Sequence, residues 1–175
     1  LWAGTRPYVK DQIMGSAAFS DSGYTGYYET VSQNAKVAEA IPWCMIDLAN
    51  APAGFWSAVE SDAKSLRVVK ADGLTAYSAQ VVSFDKAGNT GLVFFDCSAD
   101  LATGSDITWR VYAGNAGASL PAEGDALGKH AVWHTSDDLV LHMNDDPSGG
   151  APQMIDATSN SHDGTSVGTM TSGDL

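Results

Sequence analysis

Hydrophobic and polar residues alternate along much of the first 115 residues of this chain. The clearest case is "SDITWRVYAGN", which places Ile107, Trp109 and Val111 on one face and Thr108 and Arg110 on the other. Successive side chains of a β-strand point to opposite faces, so this pattern indicates a strand with one buried face. We therefore predict that Trp109 is buried together with Ile107 and Val111.

Similar alternation predicts further strands elsewhere in the first part of the chain. The segments are "YTGYYETVSQ", "IPWCMIDLA", the two halves of "SLRVVKADGLTAYSAQVVSF", and "GLVFFDCSADL". Turn clusters around Gly73 and Gly88 separate neighbouring strands, and "APAGFWSAVES" has the three- and four-residue apolar spacing of a short helix. Strands at such spacing, joined by Gly, Asp and Asn turns, predict an all-β fold, an antiparallel β-sandwich that is jelly-roll-like.

The composition changes after Asn115. A Gly- and Ala-rich stretch leads to a predicted strand pair, "HAVWHTSDDLVLHMN", and apolar residues become scarce after Asp145. This order is typical of one complete domain followed by the beginning of another. The predicted divisions are an N-terminal arm (1–22), a β-sandwich domain (23–118), a connector (119–129), and the start of a second domain or an assembly segment (130–175).

The charge of the chain excludes some classes of partner. Aspartate and glutamate total 21 against 9 lysines and arginines, which gives a net charge of -12. So acidic a surface repels phosphate, and we predict neither nucleic-acid binding nor membrane insertion, since no apolar run is long enough to span a bilayer. Leu1 in place of Met indicates a removed initiator or leader, or an excised fragment.

The chain contains two cysteines, Cys44 and Cys97, each inside an apolar strand-like segment. Small apolar-like side chains in such segments are typical of a protein core. A disulfide between them would require both side chains to enter the same core with their Cα atoms about 4.4–6.8 Å apart. Both alternatives stay open, and neither assigns a redox compartment.

The catalytic motifs in the sequence are incomplete. "GTSVG" around Ser166 has the G-x-S-x-G spacing of a serine hydrolase, but it lacks the preceding buried strand, the following helix and a later histidine. "GDALGKH" has His130 where a phosphate loop requires Ser or Thr, so it is interpreted as connector. The glutamates, which are Glu29, Glu39, Glu60 and Glu123, are too scattered for a glycosidase pair. We predict no catalytic residues.

Oxygen ligands for a metal are more plentiful than nitrogen or sulfur ligands. The histidines are His130, His134, His142 and His162. They lack the paired short spacing of zinc sites, and His134 and His142 are interpreted as strand residues. Aspartates lie near Gly-rich loops at the end of the chain, which favours calcium as the candidate cofactor, although no EF-hand spacing is present. The candidate calcium ligands are Asp145, Asp146, Asp156 and Asp163.

The order of three segments resembles a bacterial and phage domain family of unknown function that precedes a concanavalin A-like (laminin-G-like) lectin domain. The segments are "IDLANAPAGFWSAVESDAKSLRVVKADG", "TWRVYAGNAGA" and "AVWHTSDDLVLHMNDDPSGGAPQMIDATSNSHDGT". Residues 111–115 stand for the family's YYGN strand end, and residues 156–160 stand for its DSTGN motif. The resemblance covers about residues 24–175. It implies that residues 130–175 are the truncated start of a second, concanavalin A-like sandwich.

The resemblance and the absence of catalytic motifs imply a non-enzymatic structural or adhesive module of an extracellular, cell-surface or virion protein. The alternatives are a carbohydrate-binding module with calcium-assisted loops and an accessory domain of a polysaccharide hydrolase. Aromatic residues available for stacking on sugars are Trp2, Tyr8, Tyr24, Tyr27 and Tyr28. The expected partners are a homo-oligomer or other virion and surface proteins, and also glycans, with residues 131–143 or 1–20 against a neighbour.

Overall fold

The structure is a computed structural model, and it describes residues 23–33, 43–98, 100, 106–171 and 173, with the backbone alone at 31–33 and 106. The predicted N-terminal arm, with Trp2 and Tyr8, lies outside the described residues, and so does Glu39. In the part that is described, no helix has the length and apolar character needed to cross a membrane.

Two antiparallel three-stranded sheets form the body of the protein. The strands are β1 (Gly26–Gln33), β2 (Trp43–Asp47), β3 (Arg67–Lys70), β4 (Ala79–Asp85), β5 (Thr90–Asp96) and β6 (Asp106–Ala113). One sheet has the order β1-β6-β3 and the other the order β2-β5-β4. Helix α1 (Ala53–Ala58) and the 3₁₀ turns Leu48–Asn50 and Lys129–Val132 complete the described elements. The predicted all-β antiparallel fold and the short helix are confirmed, and jelly-roll connectivity stays a prediction.

The central strand β6 carries the largest buried side chain of the core. Trp109 and Val111 are fully buried, and Ile107 packs against the same cluster. The ring of Trp109 lies 5.0 Å from that of Phe95 on β5, so the two sheets meet across an aromatic pair. The predicted inward face of β6 is therefore confirmed. Tyr112, on the opposite face of the strand, is buried as well.

The two predicted cysteine positions lie in this core. Cys44 on β2 and Cys97 just after β5 are both buried, and no disulfide joins them. The prediction of buried core cysteines is confirmed.

The predicted turn at residues 71–73 joins strands of different sheets. Gly73 adopts a φ of +75°, and Asp72 Oδ1 accepts hydrogen bonds from the N–H groups of Leu74 and Thr75. Val69 then pairs with Ala76 in a single bridge. After that bridge the chain crosses to β4 in the other sheet, and at the crossing the Tyr77 ring enters the core against those of Phe95 and Trp109, at 5.9 Å and 5.2 Å.

The strand pair predicted in residues 130–144 is wrong. This part contains the 3₁₀ turn Lys129–Val132 and irregular backbone, and its described pairing is one bridge, Leu141 to Asp156. Neither His134 nor His142 lies in a strand. The reason is that side chains of this stretch pack onto the outer face of β5. Its backbone groups form hydrogen bonds with side chains and not with any of the described strands. We call residues 129–166, which cover this sheet face, the C-terminal segment.

Candidate functional site

A layer of aromatic rings attaches the C-terminal segment to the sheet. Phe94 points out of β5, and the rings of Trp133 and His142 lie 5.6 Å from it. Trp43 on β2 lies 6.0 Å from Trp133. The Trp133 indole N–H donates to Gln80 Oε1 at 2.9 Å, and His142 Nε2 lies 3.1 Å from the same oxygen. Burial in this layer lowers the pKa of His142 below its usual value.

Asp156 organises the C-terminal segment from inside. Its side chain is 2% exposed, and its carboxylate accepts four hydrogen bonds. Oδ1 accepts from the N–H groups of Val140 and Thr158 at 3.0 Å each. Oδ2 accepts from the Thr158 hydroxyl at 2.8 Å and from the His162 N–H at 3.0 Å. Burial alone would raise the pKa of Asp156, but these bonds to the charged form hold it well below its usual value.

The other candidate calcium ligands also order local backbone. Asp163 Oδ1 accepts from the N–H of Asp156 at 2.8 Å, and Asp145 Oδ2 accepts from the N–H ten residues later at 3.0 Å. Asp146 Oδ1 accepts from the N–H and hydroxyl of Ser148. Across residues 23–33, 43–98 and 106–171, no group of three or more acidic, histidine or cysteine side chains is arranged to hold a metal ion. The structure therefore brings Asp156 and Asp163 together and does not make the four aspartates one ligand set.

A cleft of about 520 Å³ lies along the outer edge of β4. Its lining comes from residues 61–63, residues 79–84 on β4, five residues of the connector between Leu120 and Lys129, and His142, Asn144, Asp145, Ile155 and Ala157. The connector reaches β4 through a hydrogen bond from the Ala79 N–H to the Leu127 carbonyl, at 3.4 Å. Because β4 is an edge strand, this cleft lies where backbone groups of the sheet face outward.

The lining of the cleft combines apolar side chains with hydrogen-bonding groups. Leu120 and Ile155 are 58% and 36% exposed. Asn144 donates through Nδ2 to the Val82 carbonyl at 2.7 Å, which fixes its amide against β4. Ser83 is exposed on the same strand.

The charged part of the lining consists of one ion pair and the carboxylates of Asp62 and Asp145. Glu123 accepts from Lys129 Nζ at 2.7 Å. This hydrogen bond lowers the pKa of Glu123, and nearby His130 acts in the same direction. The glutamate is therefore held in its charged form.

The remaining motif residues have structural contacts. The Ser166 hydroxyl donates to the Pro147 carbonyl at 3.4 Å, and its N–H donates to Gln153 Oε1 at 3.0 Å. Glu29 accepts from Arg110 at 3.2 Å, and Glu60 accepts from the Ser65 hydroxyl. These groups lie apart from the cleft lining.

The three described tyrosines of the predicted stacking set lie on the β1 side of the protein. Tyr28 is buried in the core, so it is unavailable to a ligand. Tyr24 and Tyr27 pack against Tyr112, with ring centres 5.8 Å and 5.2 Å away. The Arg110 guanidinium covers the Tyr27 ring at 4.6 Å. Tyr24 and Tyr27 therefore help to bury Tyr112.

The sequence does not predict the cleft because its walls come from five separate stretches of the chain. The polar Gln80 and Ser83 within an apolar strand gave the one local sign that β4 borders an unusual surface. Comparison of this chain with protein-family models, curated proteins and solved structures found no match. The resemblance to the lectin-associated domain family therefore stays a prediction.

Proposed function

We propose that this chain is a non-enzymatic attachment module of an extracellular or virion surface protein, and that the cleft beside β4 binds carbohydrate. The observation that carries the proposal is an open cleft of about 520 Å³ built against a sheet edge. This volume falls in the range of about 300–1,000 Å³ that is typical of small-molecule sites.

The chemistry of the lining supports a saccharide as the ligand. A sugar ring presents hydroxyl groups, which need donors and acceptors, and C–H faces, which need apolar contacts. Ser83 and the Glu123–Lys129 pair supply the first kind of contact, and Leu120 and Ile155 supply the second. The net charge of -12 disfavours anionic ligands and so favours neutral sugars.

The state of Glu123 supports binding rather than hydrolysis. A glycosidase requires a carboxylic acid that stays protonated near neutral pH, which needs a raised pKa. The bond from Lys129 lowers the pKa of Glu123 instead. A polysaccharide could therefore be held in the cleft without being cleaved by this residue.

The binding proposal is tested by a glycan array, followed by titration calorimetry with each glycan that gives a signal. Ser83→Arg places a long side chain in the cleft, and Thr90→Arg, at an exposed strand position outside the lining, is the matched control. We expect Ser83→Arg to weaken binding more than about tenfold, which is about 1.4 kcal/mol, and Thr90→Arg to bind as the parent does. A glycan held equally by both variants, or an array without signal, contradicts the proposal. Loss of binding on chelation would identify the calcium-assisted alternative.

Exposed apolar side chains favour assembly as a second function. Leu139, Met143 and Val167 are 49%, 58% and 95% exposed on or next to the C-terminal segment. Such side chains are suited to contact with another copy or with another virion or surface protein. Light scattering should then show a mass above that of one chain, and the triple replacement of these residues by serine should reduce it. If light scattering gives the mass of a single chain for the parent protein, the proposed homo-oligomer is contradicted.

A further inference from the structure

Cys44 and Cys97 face each other inside the core. Cys44 on β2 is directly opposite Phe95 on β5. Cys97 follows Phe95 by two residues, and successive residues of a strand alternate between faces, so both cysteines and Phe95 point into the same core. Cys44 is 9% exposed and Cys97 is fully buried.

The register makes the two cysteines diagonal neighbours of adjacent chain segments. Diagonal cross-strand neighbours lie about 7–8 Å apart, which is slightly more than a relaxed disulfide requires, so the two segments must move a little closer for the bond to form. The Cys44 thiol is the first cause that raises the pKa of Cys97, which indicates that the two thiols are neighbours in the core.

We propose that Cys44 and Cys97 form an intramolecular disulfide when the chain folds in the presence of a disulfide oxidant. A thiolate of one cysteine attacks a sulfur atom of a small disulfide such as oxidised glutathione and releases one glutathione thiolate. The second cysteine thiolate then attacks the first cysteine's sulfur and releases the other. The two protein thiols lose two protons and two electrons, and one glutathione disulfide is reduced to two thiols.

The crosslink would join the edge strand β2 to the residue that follows β5, the strand with which β2 pairs. β2 has five residues and pairs with β5 alone among the described strands. A covalent link across this pair closes a long loop of chain and lowers the entropy of the unfolded state.

The core environment sets when the reaction takes place. The hydrogen bond with Cys44 and burial both raise the pKa of Cys97, so little thiolate is present in the folded protein. Reaction with glutathione disulfide should therefore be fast during folding and slow once the core is closed.

The proposal is tested by refolding the reduced protein in a glutathione redox buffer. Thiols are then counted under denaturing conditions, and a non-reduced peptide map locates any crosslink. We expect no titratable thiol and a peptide pair that joins Cys44 to Cys97. Two titratable thiols, or glutathione adducts in place of the crosslink, would overturn the proposal.

Thermal unfolding with and without reductant tests the stabilising role. The oxidised protein should melt about 5–15 °C above the reduced protein. The Cys44→Ala/Cys97→Ala double variant is the control, and reductant should leave its midpoint unchanged. If the oxidised and reduced parent proteins melt at the same temperature, the crosslink does not stabilise the fold.

Discussion

Replacing Asp156 with alanine should release the C-terminal segment while the two sheets stay folded. The change removes one buried carboxylate and leaves four donors without their acceptor, two of them on Thr158 and the others on Val140 and His162. All three backbone donors belong to the C-terminal segment, so the damage is confined to it. The core between the sheets makes no use of this carboxylate.

The size of the effect follows from the number and kind of these bonds. A hydrogen bond to a charged group contributes about 1.5–3 kcal/mol, and bonds to one carboxylate are not additive. The donors regain bonds to water once the segment opens, which limits the loss. We expect the free energy of opening of the C-terminal segment to fall by about 3–4 kcal/mol.

Hydrogen exchange measured by mass spectrometry reports this opening directly. A loss of about 3–4 kcal/mol corresponds to exchange roughly 10²–10³ times faster in residues 138–164, with no change in β5 and β6. Asp163→Ala is the control, because Asp163 is exposed and accepts a single bond from the Asp156 N–H. Because this is one bond at an exposed carboxylate, its loss should cost about 1–2 kcal/mol, clearly less than Asp156→Ala. If Asp156→Ala exchanges within about threefold of the parent protein, or if both sheets lose protection to the same extent as the C-terminal segment, Asp156 does not hold this segment in place.

The same carboxylate gives the segment a dependence on pH. The pKa of Asp156 is lower in the folded protein than in the unfolded chain, where aspartate titrates near pH 3.9. Its contribution is therefore complete above about pH 4 and is lost as the pH falls through the folded pKa. Asp156→Asn should lack this acid dependence.

Three further predictions concern other parts of the protein. Trp109→Ala should lower the free energy of unfolding in urea by about 3–5 kcal/mol, and a loss below about 1 kcal/mol would mean that its burial is unimportant. His142 has a folded pKa below the unfolded value near 6.5, so the stability of the C-terminal segment should fall as the pH drops below about 6.5. His142→Phe should abolish that dependence in hydrogen exchange at pH 5 and pH 7.5. Because the four predicted calcium ligands already bind backbone N–H groups, millimolar calcium should leave the melting temperature unchanged, and a rise of several degrees would instead support the calcium site.

The strands and the helix could be predicted from the sequence because one face of each is buried. The sequence of β6 alternates polar residues with Ile107, Trp109 and Val111, and in the structure these three side chains form the face that packs into the core. The division of strands between sheets could not be predicted, since it depends on tertiary contacts such as those of the Tyr77 ring with Phe95 and Trp109. Local periodicity contains no information on that contact.

The strand pair predicted at residues 130–144 is wrong because side chains that pack on a sheet face can alternate with polar residues as a strand does. In "HAVWHTSDDLVLHMN" the aromatic residues Trp133 and His142 are the ones that pack on Phe94. The four candidate calcium ligands accept hydrogen bonds from backbone N–H groups, a role that aspartates in loops also have without a metal. Composition alone does not distinguish this role from metal binding.

The aromatic layer on Phe94 bears on how much of the chain a stable folding unit must include. Composition places the boundary of the first domain at residue 118, but a chain cut there would lose Trp133 and His142 and bare the outer face of β5. Phe94 and Trp43 would then form an exposed aromatic surface beside the edge strand β4, and such surfaces promote aggregation. The smallest unit that can be expected to stay monodisperse therefore extends through the Asp156 loop, to about residue 166. In this protein the piece that resembles the beginning of another domain serves as the outer layer of the first.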